Sequence, residues 1–458
     1  MNKFIISLLA INFLIGNQTD TLSPVLPEDA LPFSLEIDEA PFSLPAGIQA
    51  YASGVYKDQW VLLAGRSNGL HGFDNVGNNF PPTAQNRVVY VIDPETGANW
   101  FRSLTEGGLT QTQIDNLSVT ASQSFQKGKT LYLVGGYGIN TLTDEMETKS
   151  TLTTINLSIL VDWVKHKRDD LSKGINQVSD PQLQVTGGFL YQANDHEPFL
   201  LMLGQNFIGL YRDNSNGLYT QQIRPFWVND KKLSVLPHRS FVQLPDYRRR
   251  DLNIVPVIHN DKFAYTAFAG VFTLDTGVWT VPITINPDGS SFEQDPNDPA
   301  TFKQAMNHYN CPTFGLYSGK SKDMYVVFPG GISFGYISGG VFTTDAEIPF
   351  INQVTTIKID KERNYTQYLM DGEYPFIAST GTNPGNQLLF GAEAVFLPKK
   401  GISLFANEVI CLDKITEPTV IGYIVGGIMS TLPNTITRED TTSSPYVFTV
   451  TLTPKNPS

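Results

Sequence analysis

Residues 49–65 read QAYASGVYKDQWVLLAG, and residues 87–100 read RVVYVIDPETGANW. The first stretch is an apolar strand, a turn at Lys57-Asp58 and a second strand, Trp60-Val61-Leu62-Leu63-Ala64, that stops on Gly65. The second stretch is a third strand closing on Asp93, a Pro94-Glu95-Thr96-Gly97 turn, and Trp100 at the start of a fourth strand. Short continuous apolar runs between turn residues suit strands that are buried on both faces. A terminal glycine suits a chain that must turn sharply, because a residue without a β-carbon takes positive φ freely.

The glycine-ended strand recurs along the chain. Its copies are Leu131 to Gly136, Leu200 to Gly204, Ala264 to Gly270, Tyr325 to Gly331 and Gly422 to Gly427. The last glycines stand at 65, 136, 204, 270, 331 and 427, a regular spacing except before the final copy. Echoes of the third strand follow at Leu152 to Asn156, Phe272 to Trp279 and Val354 to Asp360. A fixed period of this size marks a repeat architecture. Strand, turn, strand to Gly, strand to Asp, turn and Trp in this order resemble a kelch repeat, over about residues 45–453, as in the galactose oxidase/kelch-like superfamily. The resemblance implies an all-β fold, a six-bladed β-propeller. The long last interval leaves seven blades as the alternative, with residues 395–415 either an elaborated hairpin of the sixth blade or the remnant of a seventh.

Phe33, Leu35 and Ile37 alternate with Ser34, Glu36 and Asp38, which predicts a strand with one buried face. The chain also ends in a strand-like run, Tyr446 to Leu452. Pairing of these two would close the ring and hide its open edges. The expected organisation is a signal peptide over 1–18, a linker over 19–30 and one propeller domain over 31–455. The leader expectation rests on Lys3 followed by the apolar run Phe4 to Gly16, too short to span a bilayer. It predicts export to a secreted, periplasmic or cell-surface location.

The balance of 32 basic and 44 acidic side chains, formal net charge -12, argues against nucleic acid as a partner. No later run is long and apolar enough for a membrane span, and a monomer is expected. Two cysteines, Cys311 and Cys411, cannot staple a chain of 458 residues; reduced thiols are the slightly favoured reading over a single bridge.

Gly-x-Ser-x-Gly occurs at 65–69 and at 331–335. A hydrolase elbow needs a helix directly after the serine, and both copies run into glycine-rich loops instead. The six histidines form no metal-ligand motif, so no metal and no cofactor are expected. Two segments stand out as candidate binding residues. Tyr247, Arg248, Arg249 and Arg250 lead into the expected innermost strand of the fourth blade, at the mouth of the central channel, where guanidinium groups can grip a carboxylate. The loop Arg66 to Phe73, with Asn68 and His71, follows a repeat glycine and is longer than a connection requires. Positions equivalent to it in other blades are Tyr137, Gln205 and Asn206. Tyr309 and Glu393 lie near inner strands and complete the set. No catalytic group is nominated. The expected role is binding of a glycan or a protein segment on one propeller face. The alternative is a carbohydrate-active enzyme resembling the sialic-acid mutarotases, with Glu393 and the arginines supplying acid/base and carboxylate-binding groups.

Overall fold

A computed structural model describes residues 22–73, 76–167, 170–212, 217–237, 242–268, 270, 273, 277–435 and 438–455. The expected signal peptide and part of the 272–279 strand lie outside the described residues. The fold is an all-β propeller, and among the described residues only two α-helices occur, at Gln111–Leu117 and Leu157–His166.

Five sheets are regular four-stranded antiparallel blades. The first consists of Ala52–Tyr56, Gln59–Leu63, Val88–Ile92 and Asn99–Ser103, the segment that opened the sequence reading. Gln123–Lys127, Thr130–Val134, Thr151–Asn156 and Ile175–Ser179 make the second. The third and fourth begin on the inner strands Phe189–Tyr191 and Asn253–His259. Between the fourth and the last blade sits a six-stranded sheet. Phe314–Tyr317, Met324–Ile332, Phe350–Ile359 and Tyr365–Leu369 follow the blade pattern. Val25–Pro27 and Ile410–Cys411 add to its two edges in parallel. Part of the expected linker therefore belongs to a sheet, where Val25 to Pro27 protect an edge that would otherwise be open.

The last blade holds Val395–Pro398, Thr419–Val425 and Val447–Pro454, and its outer strand is Phe33–Glu39. Phe33 pairs with Pro454 and Glu39 with Phe448, so the two ends of the chain share one sheet. Phe33, Leu35 and Ile37 are buried, as their alternation predicts. Residues 399–418 connect the paired strands Val395–Pro398 and Thr419–Val425, and within them Ile410–Cys411 pairs with the inner strand Phe314–Tyr317. Cys311 and Cys411 are both free thiols. The stretch from Leu157 is helical to His166 and buries Trp163 in the seam between the first and second sheets, with Arg102 of the first sheet over its ring.

Period-two alternation explains the packing. On Gln59–Leu63, Val61 and Leu63 join Leu131, Leu133 and Ile155 of the next sheet. Trp60 and Leu62 join Tyr423, Val425 and Val447 of the last one. The same seam recurs between every successive pair of sheets and returns to the first. Each middle strand is sandwiched on both faces, which is why it is apolar throughout.

At the hub, six residues circle the axis just before an inner strand: Ala50, Ala121, Gly187, Asp251, Asn310 and Glu393. All have positive φ, between 37° and 66°. Backbone amides and carbonyls join neighbours around the ring: Ala121 N donates to Ala50 O at 3.3 Å, Gly187 N to Ala121 O at 2.9 Å and Asp251 N to Gly187 O at 2.8 Å. Glu393 N donates to Asn310 O at 2.8 Å, and Ala50 N to Glu393 O at 3.3 Å. Five non-glycine residues thus accept a left-handed conformation costing about 1 kcal/mol or more each. The hydrogen-bonded hub holds them there.

Candidate functional site

The hub ring divides the central channel into two chambers. The upper one, a cavity of ≈ 410 Å³, is built from residues on either side of each repeat. Gln49 bridges to Arg66, Thr120 to Tyr137, Thr186 to Gln205 and Tyr309 to Ile332. Each pair lies at or beyond the end of the first two strands of its sheet, so equivalent backbone positions carry different side chains into one space. Arg66, His71, Tyr137, Gln205, Arg250, Tyr309 and Glu393 all line it.

The other five nominated residues have different places. Arg249 is fully buried and structural: its guanidinium pairs with Glu293 and donates to the carbonyls of Val281 and Asp246. Tyr247 is buried, with its hydroxyl on Ser291 Oγ at 2.9 Å. Arg248 stacks on Tyr219, and its carbonyl accepts from Trp279 Nε1. Asn68 gives its carbonyl to Gln49 Nε2 at 3.3 Å, and Asn206 pairs with Leu218 in a short hairpin. Neighbours in an extended segment face opposite ways, so one run of arginines cannot all reach one cavity.

Arg66 is 2% exposed and lies over the ring of Phe80, 4.2 Å from its centroid. Its Nη2 has no hydrogen-bond partner within the protein. Burial, followed by repulsion from Arg438, pulls its pKa down to about 9. Arg250 is held differently. It donates to Tyr219 Oη at 2.8 Å, to Tyr211 Oη at 3.2 Å and to Asp251 Oδ2 at 3.0 Å. Burial opposes its charge, but Tyr211 and Asp251 outweigh that and keep its pKa well above the ordinary value.

Glu393 and Asp251 stand on either side of Asn310 in the hub, close enough for their charges to interact. Burial and the Asp251 charge together raise Glu393 to about 8, against the Asn310 hydrogen bond and the pull of Arg66 and Arg250. Burial also raises Asp251. The ion pair with Arg250 favours the charged form of Asp251, and Glu393 is the member of the pair that more readily holds a proton. His71 Nδ1 lies 2.8 Å from the Gly72 carbonyl, and burial lowers its pKa to about 4, so the ring is neutral. It stacks with Phe80 at 5.0 Å and meets Tyr211 edge-on at 4.9 Å, forming an aromatic wall beside the cations.

Sequence reasoning missed Asp251, Tyr211 and Phe80. Asp251 stands next to the arginine run, where the sequence marks it as a salt-bridge partner of the arginines and not as a channel residue. Tyr211 and Phe80 belong to irregular loops, where no period marks a side chain that points inward. Neither Gly-x-Ser-x-Gly copy runs directly into an α-helix: the second joins the strands Met324–Ile332 and Gly335–Ser338, and Ser333 is buried with its hydroxyl on the Gly335 carbonyl. Among the described residues no group of three or more His, Cys, Asp and Glu side chains is arranged to hold a metal ion, and no helix is long and apolar enough to cross a membrane.

No protein-family model and no curated protein matches this chain. Among solved structures it is similar to one titled "Structure of YjhT", at 10% sequence identity and a TM-score of 0.45, over 90% of this chain and 99% of that one.

Proposed function

We propose that this protein is an exported binding protein of the kelch type. Its upper chamber takes a small carboxylate-bearing carbohydrate, without metal or cofactor. The observation that carries the reading is Arg66. A cation this deeply desolvated beside a cavity, with an Nη2 that finds no acceptor in the protein, is costly until an anion supplies the missing hydrogen bonds. Arg250 offers a second cation, the aromatic wall suits the apolar face of a sugar ring, and protonated Glu393 is a donor to a sugar hydroxyl. A cavity of ≈ 410 Å³ fits a monosaccharide acid better than a length of polypeptide, so the glycan is preferred over the protein segment. The six apolar seams and the six hub positions support counting the six-stranded sheet as a further blade, hence six in all. Export rests on the Met1 to Gly16 leader pattern, and a monomer remains the expected state.

One observation favours an enzyme as the second reading. A carboxylic acid with a pKa near 8 close to a carboxylate is the pairing that acid/base isomerisation of a sugar requires. Thermal melting with uronic acids and N-acetylneuraminate, against the matching neutral sugars, tests binding. Anomer exchange followed by NMR tests catalysis. A shift specific to the acids supports the binding reading, and added exchange supports the enzyme. No shift and no added exchange with any sugar acid removes both.

A further inference from the structure

The lower chamber, ≈ 430 Å³, lies on the opposite side of the hub and has the reverse electrical character. Its carboxyls are Asp251 and Glu393 at the hub and Glu408 at the outer mouth, and among its described lining residues there is no Lys, Arg or His. Its walls carry Tyr51, Phe125, Phe189, Tyr191, Phe314 and Phe396. Phe314 and Phe396 stack at 4.2 Å, and Phe125 meets Tyr191 edge-on at 6.1 Å. The 399–418 connection delivers Asn407 and Glu408 to this space. Glu408 is open to solvent at the mouth yet enclosed by channel walls, which raises its carboxyl pKa.

A second observation is independent of the carboxyls. Gln123, 2% exposed, leaves its Oε1 without a hydrogen-bond partner, while its Nε2 donates to the Ala121 carbonyl at 2.8 Å. Ser122 Oγ and Asn407 Nδ2, which line the same chamber, are also buried and unpartnered. An acceptor oxygen, the Glu408 carboxylate and aromatic faces around one cavity are the surroundings an ammonium ion seeks. The lack of a metal-type cluster among the described residues directs this to an organic cation.

We propose that the lower chamber is a second ligand site, for a small organic ammonium ion, with Glu408 as the counter-charge at its mouth and Gln123 Oε1 as an acceptor within. The channel is then polar along its axis, with an anion chamber above the hub and a cation chamber below it. Asp251 and Glu393 belong to both.

The test is calorimetric titration of the full chain with choline and tetramethylammonium, with the uncharged carbon isostere of choline as control. The cations bind and the isostere does not. Glu408→Gln, at the solvent mouth, keeps the melting profile and weakens choline by about tenfold or more. Phe125→Leu is the second variant and also weakens the cations. Arg66→Met leaves choline binding unchanged, so a failure of the upper-chamber reading is seen separately, in the sugar-acid melts. Equal binding of choline and its isostere, no binding of either cation, or a Glu408→Gln variant that binds choline like the wild type overturns the proposal.

Discussion

Replacing Arg66 by Met removes a charge and keeps a flexible stem over Phe80. The fall in pKa from 12.5 to about 9 amounts to about 5 kcal/mol of preference for the neutral form, at about 1.4 kcal/mol per unit. Relaxation around the guanidinium spares part of that penalty. The contact with Phe80, worth about 1–2 kcal/mol, is lost with the charge. The variant is therefore more stable than the wild type by about 1–3 kcal/mol at neutral pH. Because the folded pKa lies below the unfolded one, the penalty is complete below pH 9. It fades only at higher pH, where the unfolded chain alone keeps the proton. Binding moves the other way: losing a charge-assisted pair weakens a sugar acid about tenfold to a hundredfold. The assay is urea unfolding of both proteins at pH 7, then melting with and without the sugar acid. A variant that is less stable and binds as tightly refutes the reasoning, since Arg66 would then be a structural cation.

Glu393→Gln probes the other side of the chamber. With its folded pKa raised to about 8, Glu393 contributes stability that is complete below its unfolded value near 4.5 and is lost as pH rises through 8. Wild-type unfolding free energy therefore falls over that window by up to a few kcal/mol, and the glutamine variant shows a flatter profile in urea unfolding. Arg249→Met separates structure from function in the arginine run: breaking its buried pair with Glu293 destabilises the fold by about 3–5 kcal/mol. The sugar-acid shift of the folded variant stays intact, and loss of that shift would place Arg249 in the chamber.

Much of the propeller was legible because its signals are local. The glycine-ended strands needed only the neighbouring residues to be recognised, and the alternation of Phe33, Leu35 and Ile37 pointed to the closing strand without any knowledge of its partner. The site was legible in part for the same reason: Arg66, Tyr137 and Gln205 follow equivalent strands, so one repeat predicts the next. Asn206 and Asn68 failed the same logic, since a shift of one or two residues turns a side chain from the channel to a loop.

What the amino-acid order determined by itself was which segments are doubly buried strands and where the chain must turn, because hydrophobic period and glycine freedom are properties of a few consecutive residues. Only the tertiary structure decided that Arg249 lies in the core while Arg250 faces the channel. It alone brought Asp251 within electrostatic reach of Glu393, 142 positions away in the chain. The reason is the hub. Hydrogen bonds between successive sheets hold non-glycine residues at positive φ, a conformation their own identities disfavour, and that rotation selects which neighbour points inward.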